Sequence, residues 1–234
     1  MDWPRRAATS LGVGISSKGA KMNPPLTRVS HSPDAPPRIG RLLKRMGVRV
    51  IPAIAAGNHV LDLGRHPASL GEIESRFVND PAFAGSSTRA AIWQEFISAT
   101  ELLRRNVSVA AVWIGGSFTS TKLDPGDIDC TYLIDVQHAV DAHSDPARAG
   151  VLAQFATPNS LKPLGYRVDH FICVWRDVPD PAIVPRTGPE WDYYRMRGHW
   201  DDWWQRERVS PAGTFARDDA LPRRGYLEVV LDGF

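Results

Sequence analysis

The stretch Trp113-Ile114-Gly115-Gly116-Ser117-Phe118, followed after eight intervening residues by Asp127-Ile128-Asp129-Cys130, decides how the rest of the chain is read. Residues 107–114 are short, apolar and rich in β-branched side chains, so they read as a buried strand. Gly115 and Gly116 tolerate positive φ and permit a sharp turn at its end. Ser117 adds a hydroxyl to the N–H groups gathered there, and such a turn can hold phosphate oxygens. In a second strand, residues 127–135, alternation puts Asp127 and Asp129 on one face and Ile128 on the other. Two carboxylates held so close repel unless a cation lies between them, and oxygen-only ligation suits a hard divalent ion, Mg²⁺ before Zn²⁺. A third carboxylate, Asp169, interrupts the apolar strand at residues 166–175 and needs a partner there, because burying an unpaired carboxylate is costly. Either Arg167 satisfies it as a structural ion pair, or its strand lies beside the Asp127 strand and three carboxylates converge. His170 then points to the opposite face.

Helices and strands mix around this stretch. Ser69-Leu70-Gly71-Glu72 has the capping-box spacing and predicts a helix through Phe77. Ser87 is placed to cap a helix over residues 88–105, where Ile92, Trp93, Phe96, Ile97 and Leu103 form one apolar stripe. Further helices are expected over residues 136–155 and 190–208, and a last strand over residues 226–231. Five of the eight tryptophans are Trp175, Trp191, Trp200, Trp203 and Trp204. They read as packing residues or as a stacking platform for a base. Arg195, Arg197, Arg206 and Arg208 make the 190–208 helix the expected acceptor-facing element.

Composition narrows the class. A chain of 234 residues, 43% hydrophobic and 23% charged, is long enough for one substantial core or two small ones. The net charge of +2 conceals two regions. Residues 1–45 hold nine Lys or Arg against two Asp, with six prolines, and read as a disordered basic tail. It is a solvated extension, a weak nucleic-acid arm, or sequence upstream of a start at Met46. The remaining residues carry 19 basic against 24 acidic side chains, a poor surface for non-specific polynucleotide binding. Cys130 and Cys173 are too few for a disulfide framework and point to a reducing cytoplasm. No apolar run approaches the roughly 20 residues that span a bilayer, so no membrane partner is expected. Residues 46–234 are expected to form a single domain, with 190–234 its Trp- and Arg-rich end.

At the Gly-Gly-Ser turn and the three acids, the sequence resembles the DNA polymerase β-like nucleotidyltransferase superfamily. The signature there is a hydrophobic residue, Gly, Gly or Ser, a connector, an acid-hydrophobic-acid triplet and a later third acid. Ile51-Pro52, residues 61–72 with Gly64-Arg65-His66-Pro67, Gly116-Ser117-Phe118 and Pro125-Gly126-Asp127-Ile128-Asp129 also look like a group of short bacterial nucleotidyltransferase-like proteins. The resemblance covers about 130 residues well and the last 60 loosely. It implies an α+β nucleotidyltransferase fold with a mixed β-sheet flanked by helices. It also implies Mg²⁺-dependent transfer of a nucleoside monophosphate from a nucleoside triphosphate to an acceptor hydroxyl, with Mn²⁺ as a substitute ion. By position, Gly116 and Ser117 would bind the triphosphate, Asp127 and Asp129 would ligate two metal ions, and Asp169 would ligate one near the attacking hydroxyl. Lys122, in the connector, is placed to neutralise phosphate charge. The acceptor, whether RNA, protein or small molecule, is open, and a toxin-antitoxin or defence context follows from family analogy alone. Two alternatives stand beside this expectation: a catalytically inactive domain of the same fold that binds nucleotide or protein, and pyrophosphate transfer or cyclic-nucleotide synthesis on the same scaffold.

Overall fold

In a computed structural model, residues 51–211 and 214–234 are described. The expected basic tail at residues 1–45 lies outside them.

Five strands join one mixed sheet. They are β1 (Gly64–Pro67), β2 (Ala111–Gly115), β3 (Ile128–Asp135), β4 (Val168–Trp175) and β5 (Gly225–Val230), in the spatial order β1-β5-β2-β3-β4. β2 runs antiparallel to both β3 and β5, whereas β3 and β4 are parallel, as are β1 and β5. The parallel β3–β4 step needs a crossover, and two helices supply it, α3 (Val136–His143) and α4 (Pro146–Ala156). The sequence reads as a single helix there. The chain breaks it because Asp145 accepts from the N–H groups of Ala147 and Arg148 and Pro146 occupies the first turn, so a new helix starts where the old one would continue.

The other helices are α1 (Leu70–Phe77), α2 (Arg89–Arg104) and α5 (Pro189–Trp204). The capping box of α1 forms as its spacing predicts, with Glu72 N–H donating to Ser69 Oγ at 3.2 Å and Ser69 N–H donating to the Glu72 carboxylate at 2.8 Å. At α2 the cap differs from expectation. Ser86, not Ser87, accepts from Arg89 N–H at 3.1 Å, and Ser87 instead donates to Asp124. α5 stops at Trp204, four residues early, and β1 is a strand that periodicity did not reveal because only four residues pair with β5.

The sheet separates two apolar layers. On one face Ile114, Ile128, Cys130, Tyr132 and Leu227 meet Ile73 and Phe77 of α1, Ile92, Trp93 and Phe96 of α2, and Leu152 and Phe155 of α4. On the other, Ala111, Trp113, Leu133, Cys173 and Tyr226 meet Tyr193, Trp200 and Trp204 of α5. Both cysteines are buried thiols. Trp200 and Trp204 are therefore core residues, each filling the α5 side of the sheet, where large aromatics contribute most of the buried area.

Candidate active site: three carboxylates beside a glycine turn

Asp129 sits at the second position of β3, paired across the antiparallel ladder with Gly115 and across the parallel ladder with Asp169. Alternation places Asp129 and Asp169 on the α5 face, one row beyond Thr131 and Phe171. Asp127 immediately precedes β3. The register thus brings all three acids to one end of the sheet, next to the turn that follows β2.

That turn is built around the carboxylate. Gly116 has φ +67°, and a Cβ there would stand 1.6 Å from Asp129 Oδ2. The missing side chain is the space that Asp129 occupies. Gly115 is required for a different contact, since its Cβ would lie 2.8 Å from the Trp204 ring. Trp204 in turn donates its indole N–H to Thr131 Oγ1 at 3.0 Å. Ser117, half-buried, opens a short 3₁₀ turn through Thr119.

The connector between turn and acids is fixed by a buried arginine. Arg89 donates to the carbonyls of Phe77 (2.9 Å), Phe118 (2.8 Å), Ser120 (2.9 Å), Lys122 (2.5 Å) and Leu123 (3.2 Å), and its guanidinium lies 3.8 Å from the Phe83 ring centroid. Burial lowers its pKa to about 10, still high enough to keep the charge at neutral pH. Asp124 closes the other side by accepting from Ser87 N–H at 2.7 Å. Lys122 is exposed on this connector, and its charge reaches Asp127.

Asp169 is not paired with Arg167. That arginine is held by Glu95 of α2, which accepts from its side chain and from its backbone N–H at 2.8 Å. The partner of Asp169 is Lys162, whose Nζ lies 2.6 Å from Asp169 Oδ1 and 3.9 Å from Asp127 Oδ2. Asp169 Oδ1 is sealed from solvent, and the Lys162 ammonium is its ion-pair partner there. Lys162 was not legible in the sequence, because it precedes β4 in a turn with no motif of its own. His170 points away as expected, its Nδ1 donating to the Phe155 carbonyl at 2.8 Å.

A second residue the motif does not reveal is Arg224, just before β5. It is buried, donates from Nη2 to the Gly116 carbonyl (2.6 Å) and to Thr119 Oγ1 (2.8 Å), and has Nε without a hydrogen-bond partner. Its charge acts on Asp129 from behind the turn.

Burial and then mutual repulsion set the electrostatics of the acids. Burial, then the charges of Asp127 and Asp169, push the Asp129 carboxyl up to about 7, against the opposing pull of Arg224 and Lys162. Asp127 is raised by burial and by Asp169. Lys162 is partly desolvated, but its contact with Asp169 outweighs this and raises its pKa. Among the described residues, no group of three or more His, Cys, Asp or Glu is spaced to hold a metal ion as it stands. The donor set is nonetheless all hard oxygen, and the charge that raises Asp127 and Asp129 is what a cation would relieve. In chemistry the residues fit such an ion, and Asp127 and Asp129 are the carboxylates that would hold it.

The arginines on and just after α5 are engaged locally: Arg195 with Asp192, Arg197 with the Tyr193 hydroxyl at 2.5 Å, and Arg206, past the helix end, with Asp202. Among the described residues, no helix is long and apolar enough to cross a membrane.

Fold and site define a class: an α/β protein with a five-stranded mixed sheet, five α-helices among the described residues, and an acid cluster beside a glycine turn. The chain belongs to a family of unknown function (DUF6932), whose profile matches residues 54–230 and so spans the whole sheet and all three acids. No curated protein and no solved structure matches it.

Proposed function

We propose that this chain is a Mg²⁺-dependent nucleotidyltransferase that moves a nucleoside monophosphate from a nucleoside triphosphate to an acceptor hydroxyl. The observation that carries this reading is Asp129 in register with Asp169, Asp127 and Asp169 both within ion-pair reach of Lys162, and the Asp129 carboxylate lying over the open Cα of Gly116. The arrangement couples a cation-seeking carboxylate set to a turn suited to phosphate. In the reaction the acceptor oxygen forms a bond to the α-phosphorus and the α–β phosphoanhydride bond breaks, releasing pyrophosphate.

Each residue then has a distinct task. Gly116 and Ser117 receive triphosphate oxygens, and Lys122, exposed on the connector, adds positive charge. Asp127 and Asp129 orient a divalent ion, which when bound neutralises phosphate charge and favours the attacking oxyanion. Asp169, beside Asp129 on β4, is assigned the acceptor proton. Arg224 is a positioning residue, holding the Gly116 carbonyl from within the protein.

The rival reading is a silent domain of the same fold that binds nucleotide or a protein partner. The Lys162 contact favours it, because an ammonium already compensates two of the acids. Incubation of the purified chain with each α-³²P-labelled nucleoside triphosphate, Mg²⁺ and candidate RNA, protein and small-molecule acceptors separates the two. Incorporation that disappears in Asp127→Asn/Asp129→Asn is the expected result. No incorporation with any nucleotide, and no difference between wild type and variant, would leave the binding module as the better reading. Product masses distinguish monophosphate transfer from pyrophosphate transfer and from cyclic-nucleotide synthesis.

A further inference from the structure

Lys162 departs most from what the three-acid pattern alone leads one to expect. Its ammonium lies between Asp169 and Asp127, at 2.6 and 3.9 Å, in the gap where an ion shared by those two carboxylates would sit. A divalent ion of the Mg²⁺ type needs its oxygens at roughly 2.0–2.1 Å, so ammonium and ion cannot share that gap. Two like charges placed there would also repel strongly in a partly buried setting.

The backbone below the lysine is fixed. Leu161 is fully buried, Lys162 N–H donates to the Asn159 carbonyl at 3.2 Å, and Gly165, at φ +89°, donates back to the Lys162 carbonyl at 3.0 Å. Tyr166 N–H closes on the Leu161 carbonyl at 3.3 Å, and β4 begins two residues later. The turn therefore delivers Lys162 to the carboxylate seven residues ahead of it in the chain. Among the described residues, both ion-pair partners of Lys162 are acids of the candidate site. Lys162 keeps an exposed side chain, 43% accessible, yet its ammonium is directed to Asp169 and Asp127.

We propose that the Lys162 ammonium is the second cation of this site, so that the chain holds a single divalent ion, between Asp127 and Asp129, where a two-ion site would hold a pair. The inference rests on the nucleotidyltransferase reading above. It refines that reading by replacing one metal ion with a side chain, which places a fixed, non-exchangeable charge beside Asp169 and the acceptor. Arg224 supports the Asp129 side from behind the turn in the same way, leaving Asp127 and Asp129 free to face one ion.

The experiment counts Mn²⁺ on the full-length, nucleotide-free protein by electron paramagnetic resonance titration. Wild type is expected to bind one ion, Lys162→Gln two, and Lys162→Arg one, while Asp127→Asn/Asp129→Asn loses the ion that wild type holds. Circular dichroism of each variant establishes that the fold is retained. Two ions on wild type, or the same count in wild type and Lys162→Gln, overturns the role of Lys162 and leaves the nucleotidyltransferase reading standing. No ion on wild type overturns both.

Discussion

Gly116 carries two constraints that reinforce one another, a positive φ and the carboxylate seated over its Cα. Gly116→Ala should therefore lose at least about 1–2 kcal/mol from backbone strain alone, with more from the displaced Asp129. Denaturant titration reads the stability loss, and the labelling assay should show activity falling with it. For the acids, Asp127→Asn or Asp129→Asn should lower kcat/KM by roughly 10²-fold or more, since metal-assisted charge stabilisation contributes several kcal/mol. Lys122→Ala, whose side chain is exposed and makes no ion pair within 4 Å among the described residues, should cost about tenfold or less. Equal losses at all three positions would contradict the assigned roles. The Gly-Gly-Ser turn and the Asp-Ile-Asp alternation were legible because each depends on residues one or two apart. Lys162 and Arg224 were not, because their contacts with Asp169 and Gly116 are made through the fold and leave no local pattern.

At the scale of elements, two contacts connect the helices to the site. Arg89 at the start of α2 gathers five carbonyls from the end of α1 and from the connector. Arg89→Met would leave these acceptors unsatisfied, at roughly 3 kcal/mol or more of stability, and should loosen the connector that carries Lys122. Faster amide exchange at residues 118–124 would register this, and unchanged exchange would argue against the clamp. α5 reaches the site through Trp204, whose ring rests on Gly115 and whose N–H reaches Thr131. Trp204→Ala should destabilise by about 3–5 kcal/mol by leaving a cavity at the sheet, measurable as a lowered denaturation midpoint. Most elements could be read from periodicity and caps. β1 could not, since a four-residue strand carries too little alternation, and the break between α3 and α4 depended on Asp145 and Pro146 acting as a new start within an apparently continuous helical stretch.

For the whole molecule, the three acids set a pH dependence of stability. In the presence of chelator, Asp129 titrates near 7 in the folded chain against about 3.9 unfolded. The native state thus holds this proton more tightly, so the contribution to stability is fully present at the acidic end and is lost as pH rises from about 4 to 7. The loss is on the order of 2–4 kcal/mol. Wild type compared with Asp129→Asn by urea denaturation in EDTA at pH 5 and 8 should show the difference at pH 8, with the variant the more stable. An equal pH response in both would refute the buried-repulsion account. Periodicity and composition by themselves determined that helices and strands mix, and where the two strands flanking the glycine turn lie, because backbone alternation and turn chemistry are local. Only the tertiary structure decided that β4 lies parallel to β3 with Asp169 in register with Asp129, that Glu95 draws Arg167 away, and that Lys162 and Arg224 supply the positive charge. Strand neighbours and ion-pair partners are selected by packing across residues far apart in the chain, which no local pattern records.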